Sequence, residues 1–285
     1  MSETAVIFGM QRCGSNFFLS ACTRFDDVTV FGEMYHRAGA FPFCQDDERD
    51  FAIKQDLARS IWESFRNEGL PLFYDGDFAA SYDREADLRL NEKLAGFSYS
   101  YPQKYFEAVK DIAPDSRIIL KIFPEHLSIF QILSILHECR PHVILMIRNP
   151  LDSFISFKKL EQTEAPQDID TSDIKIDFNK AEYFEYKAGL VAYFGAIKAF
   201  CEDEMIDVTV VSYEDLHDDD GRDKVEKVRV IMEQVFESPV RAVEGKAGVG
   251  LFVKQDRSGS TADKVANPVR LPRSPQWLLE ERIGL

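Results

Sequence analysis

No stretch of this chain is apolar for long enough to cross a bilayer. Its apolar runs fall far short of the roughly 20 residues a membrane helix needs. The start, Met1-Ser2-Glu3-Thr4, lacks a basic segment, and the apolar run behind it is too short for a signal peptide. Cysteine is sparse. The five present, Cys13, Cys22, Cys44, Cys139 and Cys201, are odd in number, scattered and free of any Cys-x-x-Cys pair. That pattern argues against a disulfide framework and a zinc site, and for free thiols in a reducing compartment. The expectation is a soluble cytoplasmic protein. Positive charge is short as well: 34 Lys and Arg face 49 Asp and Glu, for a net charge of −15. Such a surface is a poor partner for nucleic acid or an anionic membrane. It leaves room for a local basic pocket, whose anionic ligand would approach slowly at low salt. Internal repeats and low-complexity blocks are absent.

What is present is a chain of 285 residues, 45% hydrophobic and 12% aromatic, enough for a full core. We read residues 1–285 as one domain. Short, continuously apolar runs at residues 5–8, 28–31, 117–121, 142–147 and 208–211 have the character of parallel strands covered on both faces. Helical periodicity lies between them, at 51–67, 129–137, 179 to about 203, and 224–236. The fold class is therefore α/β: a central parallel sheet of about five strands flanked by helices. Residues 37–115 exceed any ordinary crossover and carry many aromatics, among them Phe65, Phe73, Tyr74, Phe78, Tyr82, Phe97, Tyr99, Tyr101, Tyr105 and Phe106. They read as a helical insertion with its own aromatic core; some of those rings are alternatively candidates to line an acceptor pocket. Residues 238–285 read as a loop or tail over the sheet edge. The acidic runs Asp46-Asp47-Glu48 and Asp218-Asp219-Asp220 read as solvated loops.

Two motifs carry chemistry. The first strand runs into Gly9-Met10-Gln11-Arg12-Cys13-Gly14-Ser15-Asn16-Phe17. A strand, a tight glycine loop and a helix starting near Asn16 aim backbone N–H groups and a helix dipole at one point, which suits a phosphate. The Gly9-to-Gly14 spacing matches a Walker A loop. Ser15 and Asn16, however, stand where Lys and Ser/Thr belong, so the loop suits an anion without Mg-nucleotide chemistry. The second motif is Arg148-Asn149-Pro150-Leu151-Asp152-Ser153-Phe154-Ile155-Ser156. Asn149 is a good N-cap, Pro150 fits the first helical position, and Asp152 suits the dipole. Arg148 falls at the carboxyl end of a strand, the edge where open α/β sheets bind ligands. With Ser156 it can hold a second phosphate.

Together these motifs resemble the sulfotransferase family, whose donor is 3′-phosphoadenosine 5′-phosphosulfate (PAPS). The resemblance covers about residues 4 to 236 and implies a P-loop-like sulfotransferase fold. The Arg-Asn-Pro-x-Asp-x-x-x-Ser motif for the 3′-phosphate is complete, with Arg148 and Ser156 in place. The 5′-phosphosulfate loop is a variant: Gly14 matches, Arg12 stands where many members have Lys, Ser15 and Asn16 stand where two hydroxyl residues are common, and Phe17 stands where an adenine-facing Trp often sits. The resemblance implies donor binding by Arg12, Cys13, Gly14, Ser15, Asn16 and Phe17. Tyr213, in Tyr213-Glu214-Asp215-Leu216, is implied to contact adenine, and Arg257 in the late basic loop to reach the 3′-phosphate.

An acceptor hydroxyl needs a base on the same sheet edge. Glu33, after Gly32 and just past the second strand, fits the Gly-Glu pair of bacterial members. Phe123 occupies the position where the animal type has a His, two residues after Lys121. His36 and His126 stay as outside candidates, His126 being expected in the first turn of the next helix. If Glu33 is the base, apolar surroundings should raise its pKa. Arg12, helped by Lys121, is expected to stabilise the leaving oxygen in a metal-independent in-line transfer. The acceptor stays open among glycan, lipid, peptide and small metabolite, as does the oligomeric state. The alternatives are a divergent P-loop kinase or NTPase and a non-catalytic nucleotide-binding module.

Overall fold

A computed structural model describes residues 3–43, 46–69, 82–163, 171–217, 223–241 and 260–267. In chain order the elements are β1 (Thr4–Phe8), α1 (Ser15–Cys22), β2 (Val28–Val30), α2 (Asp47–Glu68), α3 (Arg84–Ser100), α4 (Pro102–Asp111), β3 (Arg117–Ile122), α5 (Ile129–Cys139), β4 (His142–Ile147), α6 (Pro150–Thr163), α7 (Lys180–Glu204), β5 (Val208–Ser212), α8 (Tyr213–His217) and α9 (Lys224–Val235), with a 3-10 turn at Thr261–Lys264. The five strands form one parallel sheet ordered β2-β3-β1-β4-β5. Its centre is β1, flanked by β3 and β4, so the chain reverses its direction of travel across the sheet beside β1. In open α/β sheets ligands bind at the carboxyl ends of the strands at such a point.

Alternation along the strands separates two cores. Val6, Phe8, Leu120, Leu145 and Ile147 face one side, packing with α2–α5 and α7. Ala5, Ile7, Ile119, Ile144 and Met146 face the other, against α1 and α9. The helix starts are chemically specified. Asp83, Asn179 and Asp223 accept first-turn backbone N–H groups, and Ser128 makes a reciprocal capping box with Gln131. Asp46 caps α2, and Asp47 and Glu48 occupy its first turn. That run is thus a helix start, not the solvated loop expected, because carboxylates at a helix N-terminus complement its dipole. Asp218-Asp219-Asp220 lies outside the described residues.

Between residues 47 and 111 the described residues hold the helices α2, α3 and α4, and no described helix is long and apolar enough to cross a membrane. Of the insertion's aromatics, Phe65, Phe97, Tyr105 and Phe106 are buried and belong to the core shared with the sheet. Tyr82, Tyr99 and Tyr101 are exposed, and Phe73, Tyr74 and Phe78 lie outside the described residues. The described cysteines, Cys13, Cys22, Cys139 and Cys201, are free thiols.

Candidate active site

Each strand ends beside a residue that the sequence singled out, so one sheet edge collects them. The loop after β1 turns on a Cys13 N–H bond to the Met10 carbonyl (3.1 Å). Arg12 has a left-handed backbone (φ 70°), as does Gly14 (φ 93°). At Gly14 a Cβ would stand 2.5 Å from Cδ2 of Tyr213, so both the conformation and the close approach of that ring require glycine. Gly14 is also the N-cap of α1 and supplies no side-chain cap. A helix N-terminus without a side-chain cap from its N-cap residue suits an anion. The loop side chains divide. Cys13 and Ser15 are buried, and burial raises the thiol against the Ser15 N–H and hydroxyl that bond to it. Phe17 is buried in the core cluster that also holds Ile7, Ile119 and Phe123. Asn16 Oδ1 accepts from Lys121 Nζ.

A cationic end lies over β4 and β5. Arg148 Nη1 donates to the Arg12 carbonyl (2.7 Å), and Arg12 Nε donates to Ser156 Oγ (3.1 Å). The guanidinium of Arg148 sits 4.2 Å from the ring centroid of Tyr213, which is thus held between this cation and Gly14. Burial and then the neighbouring Arg148 charge hold Arg12 below its ordinary pKa. The Nε of Arg148 is buried and has no hydrogen-bond partner among the described residues. Asn149 Oδ1 caps α6 through the Leu151 N–H (2.9 Å), as its sequence predicts, and Glu214 fixes the Asn149 N–H (2.9 Å). Asp152 accepts from Thr261 Oγ1 (3.1 Å) and Lys264 Nζ (3.2 Å), pinning residues 260–267 to the first turn of α6. Arg257 lies outside the described residues. Arg12 thus reaches toward Ser156 rather than standing alone at the loop, because its left-handed backbone and the Arg148 bond to its carbonyl turn it that way.

The other end is built around Glu33, just beyond β2. Lys121 Nζ is 2.9 Å from Glu33 Oε1 and also bonds Asn16, so one buried ammonium joins the loop after β1 to this carboxylate. His126 Nε2 lies 3.5 Å from Glu33 Oε2, long for a hydrogen bond, and is otherwise unpartnered among the described residues. Burial favours the neutral acid, but His126 and Lys121 outweigh it and hold Glu33 at about 2. This reverses the raised pKa expected from sequence, because a buried cation, not an apolar wall, faces the carboxylate. His126 is likewise not in a helix: it closes a turn after β3, two residues ahead of the Ser128 cap of α5.

Both histidines use Nδ1 as an acceptor, His126 from the Phe123 N–H (3.2 Å) and His36 from the Ala38 N–H (3.1 Å). A ring that accepts at Nδ1 carries its proton at Nε2. Glu33, His36 and His126 bring ligand-type atoms within 4.8 Å of one another. A cation there would need both Nε2 protons moved onto nitrogens that already face N–H donors, and it would meet the Lys121 ammonium. The set suits an anion or a hydroxyl, not a metal. Two residues escaped the sequence reading. Gln11 Nε2 donates to Glu125 Oε1 (2.7 Å), linking the loop after β1 to the turn after β3. Their position within a few residues of a strand's carboxyl end was the available signal.

The fold and this edge define an α/β protein with a pair of arginines at one end and a lysine-paired carboxylate at the other. No protein-family model matches the chain, and no curated protein matches it. Among solved structures it is similar to the sulfotransferase domain from the Synechococcus PCC 7002 olefin synthase. The TM-score is 0.44 at 13% identity, covering 99% of this chain and 93% of that chain.

Proposed function

We propose that the protein is a sulfotransferase that moves a sulfuryl group from PAPS to an acceptor hydroxyl. The observation that carries this reading is the Lys121 ammonium shared between Asn16 of the loop and Glu33. It puts a cation and a carboxylate side by side next to an anion-binding turn. Arg148, Ser156 and Arg12 form a second anion end on the same edge, matching a donor with phosphates at both ends. In the transfer, the acceptor oxygen attacks sulfur and the bond from sulfur to the bridging oxygen breaks. Its electron pair goes to the 5′-phosphate, and the acceptor proton goes to Glu33. A carboxylate held at about 2 is a weak base. Donor sulfonate oxygens that share the Lys121 ammonium relieve Glu33 of it, and Glu33 becomes competent only when the donor is present. Lys121 is then the cation at the transferring group, and Arg12 serves the 3′-phosphate end. His36 and His126, protonated at Nε2, orient rather than accept the proton. No divalent ion is required, and Arg148 follows the end of β4, where a nucleotide hydrolase would offer an acid for Mg.

Calorimetric titration with 3′,5′-bisphosphoadenosine in EDTA, paired with mass spectrometry for the gain of one SO₃ on an acceptor library, tests the reading. Wild type binds the nucleotide without Mg. Glu33→Gln, checked for folding by circular dichroism, binds it and transfers nothing. Absence of binding by folded wild type overturns the proposal, and full transfer by Glu33→Gln removes Glu33 as the base.

A further inference from the structure

The turn after β3 does more than place His126. Pro124 and Glu125 stand between Phe123 and His126, and the turn is closed by the His126 N–H to the Phe123 carbonyl (3.0 Å) and by the Phe123 N–H to His126 Nδ1 (3.2 Å). With its Nδ1 bonded to the turn's own backbone, the imidazole moves with the turn. Its 1%-exposed Nε2 end is thereby aimed at Glu33. One contact holds the turn from outside to the loop after β1: Glu125 Oε1 takes the amide of Gln11, 114 residues away in sequence and two residues past Gly9. An amide-to-carboxylate bond in a partly buried place is stronger than a neutral one.

We propose that Glu125 is a positioning residue for the transfer reaction: through Gln11 it keeps the turn carrying His126, and with it Glu33, in register with the loop after β1. This rests on the sulfotransferase reading. Donor phosphates are held by the loop N–H groups, Arg148 and Ser156, none of which needs the Gln11–Glu125 bond. Losing that bond therefore lowers turnover while leaving nucleotide affinity nearly unchanged. It also frees His126 from Glu33, so the acid limb of the rate profile moves to higher pH.

The test is a swap. Glu125→Ala and Gln11→Glu each break the bond, the second by placing two carboxylates together. The double variant Gln11→Glu/Glu125→Gln restores it with donor and acceptor exchanged. We expect each single variant to lose roughly 10- to 100-fold in kcat, with the dissociation constant of Glu125→Ala for 3′,5′-bisphosphoadenosine within about threefold of wild type, as one hydrogen bond to a charged group allows. The double variant recovers to within about threefold. In donor-free protein, carbon-13 NMR of Glu33 should titrate higher in both single variants and return toward about 2 in the double. That readout needs no donor, so it stands if the sulfotransferase reading fails. A double variant no better than either single, or an unmoved Glu33 midpoint, overturns the proposal. So does a loss confined to the KM of the acceptor, which would make Glu125 an acceptor contact.

Discussion

Replacing Lys121 by Met is the sharpest physical test of the site. Lys121 has 3% of its side chain exposed and Glu33 28%, so their attraction is only weakly screened. Glu33 sits at about 2 against an ordinary 4.5, a gap worth about 3 kcal/mol. Because the folded value is the lower one, the unfolded chain binds more protons between these pH values. The contribution is complete above about pH 4.5 and is lost as pH falls through about 2. Methionine keeps most of the apolar stem and removes the charge. Glu33 then keeps only His126 while burial pushes it upward. We expect Lys121→Met to be less stable than wild type by about 2–3 kcal/mol at pH 6, with about half of that difference gone near pH 3. Urea midpoints at half-unit steps from pH 6 to pH 3 measure it. The other carboxylates titrate alike in both proteins, so the difference curve isolates Glu33. Parallel curves, with a constant offset at every pH, would refute the pairing and with it the idea that the donor must release Glu33.

Two further substitutions address the anion end. Gly14→Ala forces a side chain into a left-handed backbone and against Tyr213 Cδ2. A loss of about 1–3 kcal/mol by thermal melting is expected, together with weakened nucleotide binding by calorimetry; unchanged stability would mean that the loop relaxes without cost. Arg148→Lys keeps the charge but loses the fork that bonds the Arg12 carbonyl and stacks on Tyr213. Affinity for 3′,5′-bisphosphoadenosine should fall roughly 10- to 100-fold, whereas a change under twofold would show that only charge matters there.

Much of this protein is local in origin. The strand runs are continuous in sequence because both faces of the sheet are covered, so they were readable from hydrophobicity, and the capped start of α6 from Asn149. The Gly9-to-Gly14 and Arg148-to-Ser156 spacings were also legible, since each is a pattern along the chain, whereas the approach of Tyr213 to Gly14 was not. The first turn of α2 was misread because an acidic run looks like a solvated loop until its capping bond is seen. Only the packed sheet could decide the rest. The order β2-β3-β1-β4-β5 brings Glu33, Lys121 and Asn16 together from separate strand ends. That contact reverses the direction in which Glu33 shifts, because a pKa is set by what faces the carboxylate across space. The same packing turned Phe17 into the core, aimed Arg12 at Ser156 and joined Gln11 to Glu125. Sequence determines which residues stand at the strand ends; tertiary structure decides which of them meet, since charge and hydrogen bonding act over a few ångströms between atoms that may be a hundred residues apart.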